Sequence, residues 1–109
     1  MDTLGKNENL NIREFVEFYK NYSVDKIFLY DNNDINGEKF EKVINNDINN
    51  GFVIIRNYRG IINHMYKIMN HCYQTNYNRY DWIIFYEIDE YSFLKNFTSI
   101  KNYLKDPKI

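Results

Sequence analysis

The chain has 109 residues, of which 44% are hydrophobic and 18% aromatic, which is enough apolar material for one domain over residues 1–109. A formal net charge of −1 disfavours general nucleic-acid binding, and a single cysteine excludes an internal disulfide framework. The apolar runs fall far short of the roughly 20 residues of a membrane span, and the polar start of the chain does not resemble a signal peptide. These features predict a soluble protein, cytoplasmic or otherwise intracellular, without a membrane span.

Apolar residues predict alternating helices and strands along the chain. The first segment, Ile12–Tyr19, has apolar residues at the i, i+3, i+4, i+7 spacing of an amphipathic helix. Three short and nearly unbroken apolar runs predict strands, and the first two are of the type that is buried on both faces: Ile27–Tyr30, Phe52–Ile55 and Trp82–Tyr86. Three further segments return to helical spacing: Phe40–Ile48, Ile61–Tyr77 and about Thr98–Leu104.

This alternation indicates an α/β domain in which helices cover both faces of a mainly parallel sheet. Gly51 follows the second predicted helix, where a glycine in a left-handed conformation would end it. In such a three-layer, Rossmann-like arrangement, ligands bind beyond the carboxyl ends of the strands. Candidate site residues are therefore expected at that edge of the sheet.

Acidic clusters follow two of the predicted strands, at Asp31–Asp34 and at Glu87–Glu90. Parallel strands place both clusters at the same edge. Glu87 and Asp89 stand two residues apart, so in a strand they point to one side. Hard oxygen ligands of this kind suit Mg²⁺ or Mn²⁺, whose other ligands are commonly waters and phosphate oxygens. Turn and helix-cap residues produce the same composition after a strand, so a structural role stays open.

Several motifs occur in an order that resembles a known group of enzymes. They are Lys6-Asn7-Glu8, the segment Glu14–Tyr19, the segment Val24–Asn33, and Asp81–Tyr91, whose Glu87-Ile88-Asp89-Glu90 looks like a metal-binding strand end usually written DxDEF. Together they resemble the GT-A glycosyltransferases of the family 2-like and family 92-like groups. The resemblance runs from Lys6 to about Leu104. Glu87 stands where these families more often have aspartate.

The resemblance implies a truncated GT-A-type domain that binds the nucleotide-sugar donor, in particular a UDP-sugar, together with Mn²⁺ or Mg²⁺. The expected nucleotide-binding residues are Lys6, Asn7, Glu8, Asp31, Asn32 and Asn33, and the expected metal ligands are Glu87 and Asp89. The acceptor-binding half of these enzymes, which usually supplies the catalytic base, is not covered. No catalytic residue is therefore assigned, the acceptor is unknown, and the isolated chain is expected to be weakly active or inactive.

A non-catalytic binding or interaction domain with the same fold is the alternative interpretation. The resemblance places the strand before Lys6 in the middle of the sheet, which leaves only the short segment Asp2–Leu4 to fill that position. A second copy of the chain or another chain would otherwise complete the sheet, because unpaired strand edges invite pairing.

Other conspicuous residues have ambiguous roles. Arg56 and Arg59 follow the second predicted strand, where they would contact a diphosphate or form a solvated loop pair. His64 and His71 lie two helical turns apart, which disfavours joint binding of one metal ion and favours solvated or helix-cap histidines. Cys72 lies on the apolar helix face, which predicts a buried and unreactive thiol.

Overall fold

The computed structural model describes residues 1–6, 8–61, 65–88 and 99–105. The strands are β1 (Asp2–Gly5), β2 (Ile27–Asp31) and β3 (Val53–Asn57). The helices are α1 (Ile12–Asn21), α2 (Asn45–Asn49), α3 (Met65–Asn76) and α4 (Ile100–Leu104), and a 3₁₀ turn covers Phe40–Lys42. The three strands form one parallel sheet in the order β1-β2-β3. The predicted α/β architecture with a parallel sheet is therefore confirmed.

The central strand β2 separates two hydrophobic clusters. All five of its residues are buried, as the unbroken apolar run predicts. Ile27 and Leu29 pack in a cluster with the apolar stripe of α1, which confirms the predicted first helix. Phe28 and Tyr30 point to the opposite face, because side chains alternate along a strand, and pack with residues of α3. Helices thus cover both faces of the sheet, giving three layers.

The strand register brings the ends of all three strands to one edge. Gly5 pairs with Asp31, and Asp31 pairs with Asn57. Backbone hydrogen bonds continue past the strands, since Asn32 N donates to Gly5 O at 2.8 Å and Tyr58 N donates to Asp31 O at 2.9 Å. The loops that follow β1, β2 and β3 consequently begin side by side.

The predicted strand Trp82–Tyr86 is wrong: this segment has a single isolated β-bridge, at Phe85. Its apolar run is not buried on both faces, because Trp82 is 57% exposed and the four residues after it are only partly buried. The expected short strand at the start of the chain does form, as β1, but in the described residues it lies at the edge of the sheet and not in its middle. Ile88 packs close to Gly5 on this strand. The end of the segment that begins at Trp82 therefore still lies beside β1.

The remaining helices are shorter than predicted. The segment Phe40–Ile48 divides into a 3₁₀ turn and α2, and Gly51 follows with the expected left-handed φ of +84°. The third helix is α3, and residues 62–64 at its predicted start lie outside the described residues. Ser99 begins α4 by accepting a hydrogen bond from Asn102 N at 3.1 Å. In the described part of the chain, every helix is too short or too polar to cross a membrane.

Candidate functional site

A cleft of about 630 Å³ lies where the strands end, and we call it the strand-end cleft. It is lined by residues from the turn after β1, the two loops after β2 and β3, the start of α3 and the segment beside β1: Leu4, Lys6, Glu8, Asn32, Asp34, Gly60, Ile61, Met65, Glu87 and Ile88. The structure thus brings together four of the predicted site residues, Lys6, Glu8, Asn32 and Glu87. Asn7 and Asp89 lie outside the described residues.

The described lining of the cleft carries one ammonium group and three carboxylates. Lys6 Nζ lies 3.5 Å from Asp34 Oδ1, and both side chains are more than half exposed. Glu8 accepts a hydrogen bond from Asn11 Nδ2 at 2.9 Å, and Glu87 is exposed. Exposed ion pairs contribute little to stability, so the pair between Lys6 and Asp34 can separate at low cost when either side chain binds a ligand.

Asn32 joins the loops after β2 and β3 at the floor of the cleft. Its amide nitrogen donates to Tyr58 O and to Ile61 O, both at 2.8 Å. Asn32 is 5% exposed, so water could not compensate for these hydrogen bonds if they were broken. Asn32 therefore holds the wall of the cleft that contains Gly60 and Ile61.

Asp31 and Asn33 are placed differently from Asn32, because both side chains are buried and bind within the protein. Asp31 Oδ1 accepts hydrogen bonds from the Asn33 backbone nitrogen at 3.0 Å and from Asn33 Nδ2 at 2.8 Å. The second carboxylate oxygen, Oδ2, lies 2.8 Å from Arg59 Nη1. The structure does not bring these two side chains to the cleft lining, and their contact with a nucleotide stays a prediction.

Arg59 is a structural residue of the site that the sequence left undecided. Its guanidinium group binds the Asp31 carboxylate and also donates to the backbone oxygens of Asp34 at 2.8 Å, Gly37 at 3.1 Å and Glu38 at 2.8 Å. The side chain is 13% exposed. The sequence did contain a signal for the pair between Arg59 and Asp31. The predicted strand that became β2 ends in an acidic segment, and a basic loop follows the adjacent parallel strand β3. Arg56, by contrast, lies within β3 opposite Tyr30.

The described residues hold only half of the predicted metal pair. Among them, no group of three or more histidine, cysteine, aspartate and glutamate side chains is arranged to bind a metal ion. Glu87 follows the segment that is not a strand, so the argument that strand geometry aligns Glu87 with Asp89 no longer holds. The pairing of these two residues now rests on the motif alone.

The histidine and cysteine interpretations have different outcomes. His71 is neither solvated nor a cap residue, because it is partly buried within α3 and its Nδ1 lies 2.7 Å from the hydroxyl of the buried Tyr30. His64 lies outside the described residues. Cys72 is buried in the cluster between β2 and α3, as predicted.

The match to a known family decides the class of the chain. A model of glycosyltransferase family 92 matches residues 1–108. The chain belongs to glycosyltransferase family 92. No curated protein and no solved structure matches it. Family 92 membership confirms the resemblance and supports sugar transfer in general, with a sugar donor and an acceptor as substrates.

Proposed function

We propose that this family 92 domain binds the diphosphate of a nucleotide-sugar donor, together with a divalent metal ion, in the strand-end cleft. The observation that carries the proposal is the meeting of Lys6, Glu8, Asn32 and Glu87 in one cleft at the carboxyl edge of a parallel sheet. These residues come from three separate segments of the chain. Ligands of open α/β sheets bind at this edge.

The carboxylates that line the cleft have the chemistry that a hard divalent cation requires, although the described ones are not arranged as a three-ligand metal group. Glu8, Asp34 and Glu87 contribute carboxylate oxygens, which Mg²⁺ and Mn²⁺ prefer, and such ions commonly take phosphate oxygens as further ligands. Glu87 and Asp89 would hold the ion according to the motif. When bound, the ion would offset the negative charge that develops on the leaving diphosphate.

Lys6 is the residue we assign to the phosphate groups. Its side chain is half exposed, and its Nζ lies 3.5 Å from Asp34 Oδ1, which is long for an ion pair. A phosphate oxygen is a stronger acceptor for a charged donor than an exposed carboxylate at that distance. Binding of the donor would therefore draw Lys6 from Asp34 toward the diphosphate.

An apolar wall completes the cleft and suits the nucleoside. Ile61 is 54% exposed and Met65 is 41% exposed, and Leu4 lies with them in the lining. Binding sites commonly combine such apolar surface with a few polar groups that orient the ligand. We assign the base of the donor, uracil according to the resemblance, to this wall.

Calorimetric titration with UDP tests the proposal, in Mn²⁺ and in EDTA. We expect binding in Mn²⁺ that weakens at least about tenfold in Glu87→Gln, because the amide keeps the shape of the side chain but loses its charge. Glu17→Gln is the matched control, since Glu17 is exposed on α1 and is not part of the cleft lining. Equal affinities for the wild type and Glu87→Gln would overturn the metal role, and no binding to the wild type would overturn the proposed function.

A further inference from the structure

We infer that Arg59 is a positioning residue of the strand-end cleft. It holds the loop Asp34–Glu38, which we call the 34–38 loop, in one conformation, and this loop in turn places Lys6. The effect on a ligand rests on the proposed function, because it requires the donor to bind at Lys6. The effect on the loop itself does not require it.

The first step is that the guanidinium group of Arg59 binds several backbone carbonyl oxygens of the loop at once. Arg59 Nη1 donates to Glu38 O and Nη2 donates to Asp34 O and Gly37 O, at distances between 2.8 and 3.1 Å. Hydrogen bonds from a charged donor are roughly twice as strong as neutral ones. A single planar fork therefore closes the loop from its first residue to its last.

The second step is that Arg59 itself is fixed in place. Its guanidinium is paired with the Asp31 carboxylate, whose side chain is 2% exposed. Its backbone is held from both sides, because Asn32 Nδ2 donates to Tyr58 O at 2.8 Å and Gly60 N donates to Asn33 O at 3.0 Å. The loop is thus attached to the end of the sheet and not to a mobile side chain.

The third step links the loop to the cleft. The backbone oxygen of Asp34 accepts a hydrogen bond from Arg59, and the carboxylate of Asp34 forms an ion pair with Lys6. At the other end of the loop, Glu38 Oε2 accepts a hydrogen bond from Asn9 N at 3.1 Å. The loop consequently touches the turn after β1 at two points, on either side of Glu8.

Lysine cannot replace arginine in this role. A lysine ammonium group is a point charge on a flexible stem and lacks the rigid fork of donors. It would still pair with Asp31, so the domain would stay folded, but it would not reach all the carbonyl oxygens at once. Arg59→Lys therefore separates positioning of the loop from stability of the fold.

Amide hydrogen exchange at Gly37 is the test that needs no ligand, since Gly37 N donates to Asp34 O at 2.9 Å only while the loop is closed. We expect exchange at Gly37 to accelerate at least about tenfold in Arg59→Lys. Arg13→Lys is the matched control, because Arg13 Nη2 also donates to a backbone oxygen, that of Val43 at 3.0 Å, but outside the cleft. Unchanged exchange at Gly37 would overturn the inference.

Titration of the same variants with UDP and Mn²⁺ tests the effect on the ligand. We expect Arg59→Lys to bind several-fold more weakly than the wild type and Arg13→Lys to bind equally well. Weaker binding with unchanged exchange at Gly37 would mean that Arg59 contacts the ligand directly, which contradicts the positioning role. If the wild type does not bind UDP, the proposed function fails, and the exchange at Gly37 alone decides whether Arg59 positions the loop.

Discussion

Arg59 Nη1 lies 2.8 Å from Asp31 Oδ2, at the carboxyl edge of the sheet. Asp31 is the last residue of β2, and Arg59 comes two residues after the end of β3. The pair joins two neighbouring strand ends and is almost completely removed from solvent. An acidic cluster that suggests ligand binding is thus partly neutralised by the protein itself, and among the described residues the carboxylates that line the cleft are those of Glu8, Asp34 and Glu87.

Replacing Arg59 by methionine should destabilise the fold by about 3 kcal/mol, because it leaves the Asp31 carboxylate buried without its cation. The double variant Arg59→Met with Asp31→Asn should recover part of this loss, since both charges are then gone. Urea unfolding of the wild type, both single variants and the double variant measures the coupling energy, which we expect to exceed about 1 kcal/mol. Additive single effects would show that the two groups do not interact.

Lys6→Gln should weaken the binding of UDP in Mn²⁺ about tenfold at low salt, because one charge-assisted hydrogen bond to phosphate is lost. The difference between the wild type and the variant should shrink in about 0.5 M salt, where charges on exposed groups are screened. Lys67→Gln, an exposed change on α3, serves as the control. A salt-independent difference, or none, would remove Lys6 from the phosphate site.

Gly5→Ala should destabilise the domain by roughly 1–3 kcal/mol through overpacking. A Cβ atom at this position would lie 2.7 Å from Phe40 Cζ and 2.8 Å from Ile88 Cδ1, and both neighbours are buried. Gly51→Ala provides the comparison, because there the cost is backbone strain at a φ of +84° and the nearest atom, Lys26 Nζ, is 3.7 Å away. Thermal unfolding that leaves Gly5→Ala as stable as the wild type would contradict the close packing beside β1.

The ion pair between Lys20 and Asp47 predicts a pH dependence of stability. Lys20 Nζ lies 3.0 Å from Asp47 Oδ1, and this hydrogen bond, reinforced by the charge of Asp47, raises the pKa of Lys20 above its ordinary value of 10.5. A raised lysine pKa stabilises the folded state fully below 10.5, and that stabilisation is lost as the pH rises through the folded-state pKa.

Urea unfolding of the wild type and Lys20→Gln at several pH values checks this. The wild type should be the more stable of the two near neutral pH, and as the pH rises from neutrality the difference in the free energy of unfolding should narrow only above 10.5. A difference that already narrows between neutral pH and 10.5 would show that the lysine does not carry the effect.

Much of the sheet could be predicted because the buried faces of β2 and α1 produce recognisable apolar patterns in the sequence. Every residue of β2 is buried, and the apolar stripe of α1 faces the sheet. β1 lacks such a pattern, since Asp2 and Gly5 have little tendency to form strands, and its pairing with β2 makes it one. The run Trp82–Tyr86 shows the opposite error, because an apolar composition does not reveal that Trp82 is exposed.

The site could be predicted only in part, for a different reason. Lys6, Glu8 and Asn32 meet in one cleft because they follow two adjacent parallel strands, whose ends lie together. Glu87 joins them although no strand precedes it, because its segment packs beside β1. Neighbouring residues in one motif nevertheless take different roles: Asn32 lines the cleft, whereas Asp31 is buried against Arg59. That division depends on a partner 28 residues away, which local spacing does not encode.

Paramagnetic broadening of backbone amide signals by Mn²⁺, in the presence of UDP, tests the location of the donor site most directly. We expect the strongest broadening at Lys6, Asn32, Gly60 and Glu87, and little at Arg79 and Trp82, which line a separate cavity away from the strand-end cleft. In Glu87→Gln the broadening should require more Mn²⁺, while Glu17→Gln should behave as the wild type. Broadening centred on Arg79 and Trp82, or spread evenly over the chain, would contradict the assignment of the donor to the strand-end cleft.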